Sequence, residues 1–67
     1  MNAEAQEVIY NLINGNLTDA KKGAADLEAA VIIHNAEDMG YSNHKAMLMA
    51  SYLKGLITFQ QYCDTNL

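Results

Sequence analysis

Gly55-Leu56-Ile57-Thr58-Phe59-Gln60-Gln61-Tyr62-Cys63 reads as the end of one helix and the beginning of another. A glycine suits the left-handed residue that follows a helix, because it has no Cβ to clash there. Three residues later Thr58 and Gln61 stand at the spacing of a capping box. In that arrangement the threonine hydroxyl accepts the N3 amide and the glutamine side chain reaches back to the cap. Ile57 and Tyr62 occupy the N′ and N4 positions of the accompanying hydrophobic staple. The reading predicts a short terminal helix to about Thr65, with Phe59, Tyr62 and Cys63 packed back on a core. Helix, glycine, polar cap, helix is the grammar of an all-α chain.

Upstream, the same grammar recurs. Gly40 stops a helix, and Ser42 caps the next, which is expected to run to about Lys54. Ala46, Met49, Ala50 and Leu53 form its narrow inner stripe, while Met47, Leu48 and Tyr52 fall beside or outside it. At the other end of the chain, Asn2 is placed to cap a first helix, with Glu4 in the favourable first turn. Ala5, Val8, Ile9, Leu12 and Ile13 recur at helical spacing, and Asn14-Gly15 ends the segment. Between these lies a longer pattern in which Thr18 caps, Asp19 follows, and Ala20, Ala24, Leu27 and Val31 make one stripe. Ala30, Ala36 and Met39 join that stripe. Gly23 interrupts it at a cost of about 1 kcal/mol relative to alanine. The pattern allows one unbroken helix to Met39 or a break near Gly23 with a restart capped by Asp26, and the glycine favours the break. The fold class that follows is all-α, a small bundle of four to five short helices spanning residues 1–67 as one domain.

Sixty-seven residues are close to the lower limit for folding on a single core. Cys63 is the only cysteine, so no intramolecular disulfide staples the chain, and it reads as a small half-buried apolar side chain. Hydrophobic residues make up 51% of a chain with little interior in which to place them. Surplus apolar surface therefore points to association with another protein, a second copy (a homodimer) being the simplest candidate. The segment Met1 to Glu7 lacks a basic signal region, and Ala29 to Ile33 is too short to span a bilayer, so a cytoplasmic location without membrane contact is expected.

Eight acids against four lysines give a net charge of −4, and arginine is absent. Arginine is the side chain best suited to bidentate contact with guanine and phosphate. Its absence from an acidic chain speaks against a nucleic-acid partner. A helix-turn-helix regulator, with Asn43, His44 and Lys45 opening the recognition helix, is the alternative reading. The acids are dispersed along the chain, unlike the dense rows of a DNA mimic. Chemistry has few footholds. His34, Glu37 and Asp38 share one helix face, but a zinc or di-iron set needs further ligands at a spacing the chain lacks. Cys63 and His44 have no third group to orient them, and the glycines form no phosphate loop. The chain therefore reads as non-enzymatic, without cofactor or metal. Met47, Leu48 and Tyr52 are the candidate protein-interaction residues, since methionine adapts to a partner and tyrosine is common at binding hot spots.

Two resemblances bear on function. Met39-Gly40-Tyr41 resembles the Met-Gly-Phe/Tyr loop of ubiquitin-associated domains, small three-helix bundles that bind ubiquitin through that loop and the last helix. The resemblance would put Tyr62 and Leu67 near the binding face, although the usual Leu-Leu ending is missing. More of the chain enters a second likeness. Asn14-Gly15-Asn16-Leu17-Thr18-Asp19-Ala20-Lys21-Lys22, Gly40-Tyr41-Ser42 with Lys45-Ala46, Tyr52-Leu53-Lys54-Gly55 and Thr58-Phe59-Gln60 to Cys63-Asp64 resemble short proteins encoded by tailed phages and prophages. That resemblance implies a phage accessory protein that works by binding a host factor. It identifies no active residues, and the basic residues such relatives carry after Lys22 are missing.

Overall fold

A computed structural model describes residues 2–65 as five helices: α1 (Ala3–Ile13), α2 (Leu17–Ala24), α3 (Ala29–Asp38), α4 (Asn43–Leu53) and α5 (Phe59–Asp64). They pack as a small bundle of 28 × 23 × 20 Å, and no strand occurs among the described residues. The expected all-α class is therefore what the chain forms.

The polar caps act where their spacing places them. The Asn2 side chain accepts the Ala5 amide at 3.1 Å, and Ser42 Oγ accepts the Lys45 amide at 3.1 Å. Thr58 and Gln61 complete both halves of the capping box, at 3.0 and 2.8 Å. Three helices end alike. In α1, α3 and α4 the amides of the two residues after the C-cap bond back to helix carbonyls: Gly15 and Asn16 to Leu12 and Asn11, Gly40 and Tyr41 to Glu37 and Ala36, Gly55 and Leu56 to Tyr52 and Ser51. This is the Schellman motif, which needs a left-handed residue at C′. Gly40 supplies it at φ +103°, a value a side chain would strain.

The second helix departs from expectation at both ends. It begins at Leu17, with Asn16 as an N-cap that makes no side-chain bond, and not behind Thr18. The reason is economy of chain. The Asn16 amide closes the end of α1 and its carbonyl already accepts the Ala20 amide, so one residue serves both helices. The break beyond Gly23 exists, but the helix runs through the glycine to Ala24. The restart at Ala29 is capped by Glu28 without a side-chain bond, and Asp26 caps nothing. Gly23 is needed for packing: a Cβ there would lie 2.7 Å from Val8 Cγ2. With no glycine at its end, α2 is closed by a local turn, the Leu27 amide donating to the Ala24 carbonyl at 3.0 Å, and from a distance by the Lys54 ammonium donating to the same carbonyl at 2.8 Å. A cation at a helix C-terminus is favourably placed.

The most extensive contacts join α1 to α2 and α3 to α4, so the bundle is two helical hairpins, with α5 lying on α4. Ile9, Ile32 and Met49, from α1, α3 and α4, are the largest fully buried side chains, and Ala20, Ala24, Ala36 and Ala46 allow the helices to approach between them. Ala5, Val8 and Leu12 are buried as their stripe predicts, but Ile13 is exposed. The one buried polar residue among those described, Asn35, is satisfied. It accepts the Asn2 amide at 2.9 Å and donates to the Val31 carbonyl at 2.8 Å, tying the start of α1 to α3.

Candidate interaction surface on α4 and its C-terminal turn

The three residues singled out from the sequence do not share one environment. Met47 is 52% exposed on the outer face of α4, and Leu48 is half-buried against the core. Tyr52 is a correction, because it is only 4% exposed and belongs to the core. The cause is α5. Its capping box turns the chain back over α4, and Phe59 and Tyr62 close on the Tyr52 ring at centroid distances of 5.3 and 5.7 Å. Lys21 then lies 4.6 Å over the Tyr52 ring and Lys45 4.4 Å over that of Tyr62, each within cation–π range. Cys63 is a second correction. It is exposed on α5 and not half-buried, because Tyr62 takes the inward position.

The sequence reading missed Leu56, at 78% the most exposed large apolar side chain among the described residues. Its position is held. The amide donates to the Ser51 carbonyl at 2.8 Å, and Ile57, the next residue, is packed against the core just before the Thr58 cap. In a Schellman motif the residue at C″ commonly rests on an apolar residue at C3. At the end of α3 these positions are Tyr41 and Ala36, and Tyr41 is packed against the core cluster to which the buried Ala36 belongs. At the end of α4 they are Leu56 and Ser51, and serine offers the leucine no apolar seat. The signal was in the sequence as a leucine five residues after a serine, across the terminating glycine. Met47 and Ser51 share one face of α4 at i, i+4 spacing. The Leu56 amide bond to the Ser51 carbonyl keeps Leu56 at the C-terminal end of α4, and Met47 is exposed one turn before Ser51 on the same helix. Phe59, 40% exposed, opens the helix that follows.

The residues of the other readings lie elsewhere. The Asn43 side chain donates to Glu37 at 2.9 Å, and Lys45 covers a tyrosine ring, so two of the three side chains of a recognition helix are engaged within the domain. His34, Glu37 and Asp38 are not gathered into a ligand set: among the described residues no group of three or more His, Cys, Asp or Glu could hold a metal ion. Of the ubiquitin-associated positions, Met39 and Tyr41 are half-buried, Tyr62 is in the core, and Leu67 lies outside the described residues. An open groove of about 400 Å³ runs along α1 and α2, lined by Glu4, Glu7 and Val8 of the first helix and Asp19, Lys22 and Gly23 of the second. Among the described residues no helix is long and apolar enough to cross a membrane.

Comparison with protein-family models, with curated proteins and with solved structures returns no match for this chain.

Proposed function

We propose that this chain is a non-enzymatic protein-interaction module that works in the cytoplasm and docks a partner on the strip formed by Met47, Leu56 and Phe59. The observation that carries this reading is Leu56, a leucine pinned at its backbone, deprived of an internal seat and presented to solvent. A residue whose backbone is already fixed loses less conformational freedom on binding than one in a free loop, which favours it as an anchor. The exposed neighbours Met47 and Phe59 supply adaptable and aromatic contact of the kind enriched in interface cores. The resemblance to small phage and prophage proteins supports a host factor as the partner. A second copy of the chain is the competing occupant of the same strip.

Two measurements on wild type and Leu56→Asp test the reading. Light scattering over a dilution series reports self-association, and capture from a lysate of the producing cells reports a foreign partner. The expected result is an unchanged thermal unfolding curve with loss of whichever association the wild type shows. Retention of both mass and captured protein by Leu56→Asp would contradict it.

A further inference from the structure

We propose that Asn14–Gly15 is a site of spontaneous covalent modification whose rate is gated by the last turn of α1. Of the seven asparagines in the chain, Asn14 alone precedes a glycine. With no side chain on Gly15, its backbone nitrogen meets no steric obstacle in approaching the Asn14 side-chain carbonyl carbon. Both residues are exposed, and beyond its two chain neighbours nothing lies within 4 Å of the place a Gly15 Cβ would occupy. In the reaction the Gly15 nitrogen gives up its proton and bonds to Asn14 Cγ. The Cγ–Nδ2 bond breaks, and the amide nitrogen leaves as ammonia with that proton, closing a succinimide ring. Water then opens the ring at one or the other carbonyl, leaving aspartate or its β-linked isomer at position 14. Water is the only co-reactant, and no oxidation state changes.

The native backbone holds this chemistry in check. Asn14 sits at φ −84° and ψ 1°, which eclipses the Gly15 nitrogen with the backbone nitrogen of Asn14. Ring closure requires that nitrogen to eclipse Cβ instead. Reaching that geometry means rotating ψ and releasing the bonds from the Gly15 amide to Leu12 at 3.2 Å and from the Asn16 amide to Asn11 at 2.8 Å. Helix ends open far more readily than cores, so the gate slows the reaction without abolishing it. The product alters the α1–α2 junction. It adds a negative charge where the carbonyls of Tyr10, Asn11 and Leu12 converge, the unfavourable end of the helix dipole for an anion. The β-linked isomer also lengthens the backbone within a connection in which Asn16 serves two helices.

The test follows the purified protein at mildly alkaline pH, native and in urea, by isoelectric focusing and peptide mapping, with Asn14→Gln alongside. The expected result is a more acidic form mapping to position 14, accumulating about tenfold or more slowly in the native protein than in urea and missing from Asn14→Gln. An equal rate in native and unfolded protein would overturn the gate. The same acidic form in Asn14→Gln, or none in urea, would overturn the site.

Discussion

The turn that ends α3 and the turn that ends α4 are built on one backbone plan, and their apolar residues meet opposite fates. Both place a glycine in the left-handed region, at φ +103° for Gly40 and +78° for Gly55, and both close with the same pair of amide bonds. After the first comes Tyr41, which joins the core; after the second comes Leu56, which does not. The residue five positions earlier, at C3, differs as well: the buried Ala36 in one case and the polar Ser51 in the other. A common backbone motif therefore sets where the chain turns, while the surroundings of each turn decide whether the fold uses the side chain that follows. Where the fold does not, the side chain is available to another molecule.

The largest effect that separates the turns is expected from truncating the two residues themselves. Tyr41→Ala should cost about 1–3 kcal/mol, less than a fully buried aromatic because Tyr41 is half-buried. Leu56→Ala should fall within about 0.5 kcal/mol of wild type. Urea unfolding of both variants measures this, and equal losses would break the comparison. Next in size, Gly40→Ala and Gly55→Ala should each lose about 1–2 kcal/mol, since each forces a Cβ into the left-handed region. Similar losses in chemical denaturation sharpen the claim of a common backbone, and a loss at one site alone would remove it. The smallest effect is the most specific. Ser51→Leu gives Leu56 an apolar seat and should raise stability by about 0.5 kcal/mol. It should also weaken partner capture, because the anchor is then occupied within the chain. Unaltered capture by a stabilised Ser51→Leu would separate Leu56 from binding.

Much of the fold is local and could be read from the chain. Asn2, Ser42 and Thr58 cap because a polar side chain at the right distance from an amide needs no help from elsewhere. The inner stripe of α4, Ala46, Met49, Ala50 and Leu53, is buried as its spacing implies. What escaped the reading is tertiary. Nothing near Ala24 shows that Lys54, thirty residues on, will join the Leu27 amide on its carbonyl. The place of Gly23 depends on Val8 across the helix contact, so a residue that looks like a breaker is a spacer. Tyr52 lies beside or outside its helix's stripe and joins the core where the rings of α5 and Lys21 of α2 close over it, contacts made between distant segments. Of the candidate surface, Met47 was legible from its helical position. Leu56 was not found, because a residue in a turn belongs to no periodic stripe and its missing seat is evident only when the two turns are set side by side.

The most direct test puts a photo-crosslinking residue at position 56 and, as a control, at position 28, an exposed site at the start of α3. Illumination in the producing cells should give a discrete crosslinked product from position 56, to a host protein or to a second copy, with little from position 28. The same product at comparable yield from both positions, or no product from position 56, would contradict the claim that the seatless leucine of the α4 turn is the anchor of an interaction surface.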